Sequence, residues 1–374
     1  MELFLGRLLK MKGLGESQTK IPTVYPHNHA SNIMFLSNGD LLCTWFAGSR
    51  EGKPDISILC SRLKKGTSTW SEPEILSNDG QRSEQNPILF QNPNGDLWLI
   101  YTAQHLVHQD SAIVRYRVSK DNGYTWSDIK TLFDKPGSFV RQPPVILDNG
   151  EMVLPAYYSL ESRTGFLGDD YSVVKVSADN GETWSEYEVN DSKGLVHMNI
   201  VPLSDGSLRG FFRSRKSDFI YTSISEDGGR TWSKPIKTNL PNNNASIQAT
   251  RLKNGNIALV FNNVNAEMEP PVENRPPWFD KSDMDLVGVN EGKSQQSIWG
   301  VVRSPLTIAL SEDDGNTWIY KRDIMTKSNF DGEPEFSYPS IKQADDLKIH
   351  ITFTYLRQYI KHIVVTEEWV KSSN

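Results

Sequence analysis

An eight-residue pattern, S-x-D-x-G-x-T-W, recurs four times in this chain and limits its fold more than any other feature. The copies begin at Ser119, Ser177, Ser225 and Ser311, and a worn fifth copy keeps only Gly66, Thr69 and Trp70. Self-similarity at a fixed period marks an array built from one supersecondary unit. Within the pattern, Asp can fold its carboxylate back onto loop N–H groups and Gly supplies positive φ. Thr and Trp then begin a strand. The pattern therefore predicts structural turns, not catalytic residues.

A second repeat runs out of phase with the first. Asn38-Gly39, Asn94-Gly95, Asn149-Gly150, Asp205-Gly206 and Asn254-Gly255 each lie between apolar, β-rich runs, and Asp345-Asp346 holds the same place in a sixth unit. Asn-Gly and Asp-Gly between such runs are strong hairpin signals. Each unit thus reads strand, Asn-Gly turn, strand, loop, strand, Asp-containing turn, strand, over about 50 residues. Radially repeated four-stranded antiparallel sheets make a β-propeller. The expected fold is all-β, a single six-bladed propeller spanning residues 1–374. The last unit ends the chain without an Asp turn, so the N-terminal segment is expected to supply its outer strand and close the ring. An insertion at about 264–297, rich in Pro and acidic residues, belongs to blade five and reads as a lid or an interface arm.

Composition narrows the function. A formal net charge of -6 argues against nucleic-acid binding, whose footprints are basic. Neither Cys43 nor Cys60 falls in a zinc-type cluster, and both lie in apolar runs that suit buried free thiols. No metal and no cofactor is expected. No stretch is long and apolar enough for a membrane helix, and the N-terminus lacks the form of a signal peptide, so no membrane partner and a cytoplasmic location are expected.

In a propeller, the start of each innermost strand and the loop between the second and third strands open on one face, with the Asp turns opposite. The repeat register places His29, Arg50 and Asp55 there from blade one and Asn86 from blade two. Arg141 comes from blade three, His197 and Arg213 from blade four, Gln248 and Arg303 from blade five, and Tyr338 from blade six. His27, Gln85, His105, His108, Asp110, Gln142, Tyr157, Glu161, Asn199, Arg215, Asn262, Asn263, Glu335, Tyr355 and Arg357 share that face without an assigned role. A solvated, ion-paired rim is the bland account of any one of them. So many arginines around one axis would be costly without anions to meet them, which points to a convergent functional site. Asn86, Arg141 and Gln248 are candidates to bind substrate there.

The Asp-turn repeats resemble the Asp boxes, or BNR repeats, of the sialidase superfamily, and the resemblance covers about residues 25–366. It implies three arginines that hold a substrate carboxylate, a Tyr nucleophile activated by a Glu, and an Asp acid/base. WFAGSREGKPDISI resembles the segment that would make Arg50 a sugar contact and Asp55 the acid/base. FFRSRKSDFIYTSISEDGG places a triad arginine on Arg213, WGVVRSPLTIALSEDDG places another on Arg303, and EFSYPS places the nucleophile on Tyr338. Two positions depart from the family. YPHNHASN offers His29 where the first arginine is expected, and LVHMNIVPLSDG offers His197 where the glutamate is expected. Both histidines are candidate catalytic groups, since an unperturbed imidazole titrates at about 6.5.

The resemblance implies a sialidase-like exo-glycosidase that acts on a terminal, acidic sugar of a glycan or on a small acidic sugar. One alternative is a His-dependent glycosidase or polysaccharide lyase acting on glycans that contain uronic acid or rhamnose. Another is a non-catalytic carbohydrate-binding propeller, against which the joint presence of Asp55 and Tyr338 argues.

Overall fold

The computed structural model describes residues 6–10, 17–160, 168–280, 282–283, 297–327 and 334–372. These form six antiparallel sheets arranged as six blades. The innermost strands are His27–Phe35, Ser83–Gln91, Ser138–Val140, Leu195–Pro202, Gln248–Arg251 and Phe336–Gln343 in blades one to six. In blade three this strand is broken. Ser138–Val140 and Val145–Ile146 both pair with Met152–Tyr158, and Arg141 to Pro144 fill the gap. Pro143 and Pro144 have no N–H to give a ladder, so the break falls where the sequence places them.

The ring closes as the chain order requires. Strand Ser17–Lys20 pairs with Tyr359–Val365 and completes blade six from the N-terminal side. The worn repeat of blade one lies at this joint, where the Trp70 indole donates to His362 Nδ1 at 3.2 Å. Six apolar clusters fill the six seams between neighbouring blades. Each fully buried Leu, Ile, Val or Phe in them contributes about 1.5–3 kcal/mol. Among the described residues, no helix is long and apolar enough to cross a membrane.

The Asp turns are built alike. In the first full copy, Asp121 Oδ1 accepts from the Tyr124 and Thr125 N–H groups, and Oδ2 accepts from the Thr125 hydroxyl at 2.6 Å. Each box also grips the preceding blade. A Cβ on Gly181 of blade three would stand 2.8 Å from the Trp98 ring of blade two, and one on Gly229 would stand 2.7 Å from Val153. These glycines adopt φ +95 and +89, so both the dihedral and the contact demand glycine. In the sixth unit, which has no Gly after Asp346, Leu347 takes the left-handed position at φ 68.

Candidate active site

The innermost strands carry a shared irregularity. Their pairing shifts register between His29 and Asn32, Gln85 and Ile88, Val196 and Asn199, and Ser337 and Ser340. At each shift one residue is left-handed: Ala30 (φ 59), Asn86 (φ 52), His197 (φ 53) and Tyr338 (φ 52). A bulge of this kind re-aims a side chain out of the ladder's alternation. Non-glycine residues held there carry on the order of 1–3 kcal/mol of strain, which gathers at functional sites. The bulges turn His197 and Tyr338 into the same place.

Tyr338 stands at the centre of that place. Its hydroxyl accepts a hydrogen bond from Arg213 Nη1 at 2.7 Å. The His29 ring lies 4.2 Å from its own, centroid to centroid, and the His197 ring meets it edge-on at 5.7 Å. The guanidiniums of Arg141, Arg213 and Arg303 lie 5.3, 5.7 and 5.5 Å from the Tyr338 ring centroid. All three arginines, both histidines and Tyr338 are buried.

Most of the buried charge is paired. Arg215 meets Asp170 through Nε at 3.0 Å and Nη2 at 2.7 Å. Glu335 accepts from Arg303 at 2.6 Å and from Arg357 at 2.8 Å, and Arg357 also bonds Glu51. Burial pulls the Glu335 carboxyl up, but Arg357 and Arg303 outweigh it and hold it at about 2. Arg141 and Arg213 have no carboxylate partner among the described residues. Arg141 is spent on Ser246 and on the carbonyls of Ser31, Tyr338 and Pro339, and Arg213 on Asn244, Tyr338 and the His197 ring. Each keeps one buried amino group without a hydrogen bond, Nη1 of Arg141 and Nη2 of Arg213. Burial lowers both guanidiniums to about 10.

The histidines are neutral here. Burial, then Arg357, pushes His29 well below its ordinary value, and burial, then Arg213, does the same to His197. An arginine can only donate, so His29 Nε2 accepts from Arg357 at 3.5 Å while Nδ1–H points to the Thr354 hydroxyl at 2.9 Å. His197 Nε2 lies 3.2 Å from the Tyr157 hydroxyl. The expectation of titration near 6.5 therefore changes: both imidazoles stay uncharged through the neutral range.

The described part of the blade-five insertion, with Trp299 just beyond it, roofs the site. Trp278, Phe279 and Trp299 cluster with Val107 of blade two. Trp299 covers Arg213 and Arg215 at 5.5 and 5.0 Å, and Trp278 covers Arg357 at 5.7 Å. Asp280 and Asp283 tie this roof to Arg50 at 2.6 and 3.1 Å. A cavity of about 300 Å³ beside the cluster takes Arg275, Val301, Arg303 and Glu335 into its wall. Much of the insertion, 281 and 284–296, lies outside the described residues.

The other expected site residues have different surroundings. Arg50 is engaged by the roof aspartates. Asp55 is exposed, and its oxygens accept from the Ser49 N–H at 2.9 Å and hydroxyl at 2.8 Å. Gln248 spans the axis structurally: its amide donates to Gln142, and its oxygen accepts from Ser340 and the Ile341 N–H. Asn86 is buried with its Oδ1 unbonded. The reading of the sequence missed Glu51, Asp170, Asp280 and Asp283. Glu51 carries one visible signal, its place beside Arg50 in the loop that follows strand two.

A BNR repeat-like domain model matches residues 39–351. A sialidase of Clostridium perfringens is 27% identical over 235 residues, 54% of this chain and 59% of that protein. An anhydrosialidase of Macrobdella decora is 25% identical over 253 residues, 63% of this chain and 29% of that protein. The chain thus spans less than two thirds of these relatives' lengths. Among solved structures, a Hadza microbial sialidase superposes with a TM-score of 0.69 at 17% identity, covering 92% of this chain and 67% of that one.

Proposed function

Because the chain belongs to the BNR repeat-like domain family of the sialidase superfamily, we propose that it is a sialidase-like exo-glycosidase that removes a terminal acidic sugar from a glycan. One observation carries the reading. The Tyr338 hydroxyl is held by Arg213, and Arg213 and Arg141 leave buried donors with no protein partner. A buried cation without an anion is costly unless a ligand supplies one. Arg forks bind carboxylates in bidentate fashion.

The chemistry follows from charge. A phenolic oxygen can approach the anomeric carbon of a sugar that carries its own carboxylate, where a carboxylate nucleophile would be repelled. As Tyr338 attacks, its proton passes to the neutral imidazole of His197, since both nitrogens of His29 are taken by Arg357 and Thr354. The leaving oxygen takes a proton from a carboxyl of the blade-one loop 49–55. The aromatic roof keeps water off the arginines and so strengthens their hold on the anion. The sialidase and anhydrosialidase names of the relatives support the same substrate class.

A screen of purified protein against chromogenic sialosides, uronides and rhamnosides tests the reading, with Tyr338→Phe as control. Release of chromophore from a sialoside or uronide, lost in the variant, is the expected result. A second reading has its own observation. His197 beside Tyr157 is a neutral base next to a hydroxyl, which would suit proton abstraction in a lyase. That chemistry would leave an unsaturated, ultraviolet-absorbing product from a uronide polymer and would not depend on Tyr338.

A further inference from the structure

Two carboxyls lie four residues apart in the blade-one loop, and their surroundings differ. Asp55 is exposed, with its oxygens turned back onto Ser49 of its own loop. Glu51 is buried, at 5% exposure, inside the charged network of the site. One of its oxygens bonds Arg357. The other, Oε1, has no hydrogen-bond partner among the described residues.

We propose that Glu51, and not Asp55, is the acid/base that protonates the leaving group. The proposal rests on the glycosidase reading above and names the residue for a step that reading requires.

Several observations place Glu51 for this work. Arg357, which holds it, also lies 3.5 Å from His29, whose ring packs on Tyr338. Trp278 covers Arg357 at 5.7 Å. The next residue, Gly52, is left-handed at φ +87, and a Cβ there would stand 3.1 Å from Val107, the blade-two member of the roof cluster. The loop is thus pressed under the roof with its glutamate turned inward. A carboxyl beneath an aromatic cover keeps its proton to higher pH than one in water. Burial does raise the Glu51 carboxyl, against the pull of Arg357, while Glu335 on the same guanidinium is held ionised.

The step balances. The Tyr338 oxygen bonds the anomeric carbon and gives its proton to an imidazole. The bond to the leaving oxygen breaks, and that oxygen takes the Glu51 proton. Water then attacks the glycosyl–tyrosine intermediate and gives its proton to the Glu51 carboxylate. The freed Tyr338 oxygen recovers its proton from the imidazole.

The test compares Glu51→Gln and Asp55→Asn on two sialosides, one with a 4-nitrophenyl leaving group and one with a sugar leaving group. Glu51→Gln should lose on the order of 10²- to 10⁴-fold on the sugar-linked substrate, as expected for a lost general acid. It should lose far less in the first, burst-phase step with nitrophenol, which needs no proton, and added azide should restore turnover. Asp55→Asn should keep the wild-type dependence on leaving group. A merely structural Glu51 would lower both substrates alike and gain nothing from azide, which would overturn the proposal. So would a leaving-group-dependent, azide-rescued loss in Asp55→Asn. If Glu51→Gln does not fold, Glu51→Ala tested with azide decides by the same two criteria. A wild type inactive on every acidic sugar would sink the glycosidase reading and this proposal with it; an active wild type with the acid at Asp55 would sink only this one.

Discussion

Asp121 and Arg213 show how differently the two ends of the propeller handle charge. Asp121 is only half-buried in its turn, and hydrogen bonds from the Thr125 hydroxyl and N–H, then from Ser119, hold its carboxyl down to about 2. Its partners lie within four residues, and Asp179 repeats the arrangement with Thr183 and Ser177. Arg213 is buried, its value is lowered by burial, and its partners are 16, 31 and 125 residues away. A charge satisfied locally in water is the mark of a fold element. A charge kept out of water, with donors left over, is the mark of a site.

The largest effect should come from removing the group on which those donors converge. Tyr338→Phe should lower kcat by on the order of 10³-fold or more if the hydroxyl is the nucleophile. The ring and its packing against His29 remain, so thermal stability should change little. A variant with wild-type turnover would mean that the convergence on Tyr338 is only packing.

A pair of buried arginines sharpens the contrast next. Arg215→Met strands Asp170, which is fully buried, and should cost about 3–5 kcal/mol in chemical denaturation. Arg213→Met strands no carboxylate, and its stability should stay within about 1 kcal/mol of wild type, because losing an unpaired buried cation offsets the loss of its bonds to Asn244 and Tyr338. Its kcat/KM should still fall on the order of 10²- to 10³-fold, as for a lost electrostatic donor. Equal destabilisation of both variants would erase the distinction between a paired charge and one that waits for a ligand.

These two ends were not equally legible in the sequence. The Asp boxes and Asn-Gly turns are local, so their spacing alone predicted six blades and the closure by the N-terminal strand. Tyr338, Arg213 and Arg303 were reached through the resemblance, because each lies in a segment that carries its own motif. Glu335 with Arg357 and Arg50 with Asp283 pair residues 22 and 233 positions apart. No period links such residues, and only the closed ring brings them together. Arg50 was expected to face the sugar because nothing in its own segment reveals the roof aspartates. The histidines were found, but their protonation was not, since burial beside arginines cannot be read from YPHNHASN.

Acid should expose that buried histidine chemistry. Burial lowers His27 to about 3 and His350 to about 4, and sets His29, His197 and His362 well below their ordinary value. Between the ordinary value of about 6.5 and the lowered ones, the unfolded chain binds protons that the folded chain refuses. The stabilisation is therefore whole above about pH 6.5 and drains as pH falls below it. Each histidine contributes a slope of up to about 1.4 kcal/mol per pH unit. Denaturation curves from pH 7 to 5 should show this fall, and His350→Gln should make it shallower by about one proton. A flat profile would mean that these imidazoles are charged or hydrated in the folded state.

The smallest effect should come from the turn end and should leave catalysis alone. Gly181→Ala places a Cβ 2.8 Å from Trp98 at φ +95, so the box must lift off blade two or the indole must move. A strained left-handed residue costs on the order of 1–3 kcal/mol, and the displaced contact adds to it. In a protein of this size that is a drop of a few °C in Tm. The substitution lies in the third blade's Asp turn, at the end of the ring opposite Tyr338, and no hydrogen bond of that turn reaches the arginine cluster. With substrate present at temperatures below the transition, kcat and KM should match wild type. If Gly181→Ala lowers kcat while the protein is still folded, the two ends are mechanically coupled, and the division between fold charges and site charges does not hold.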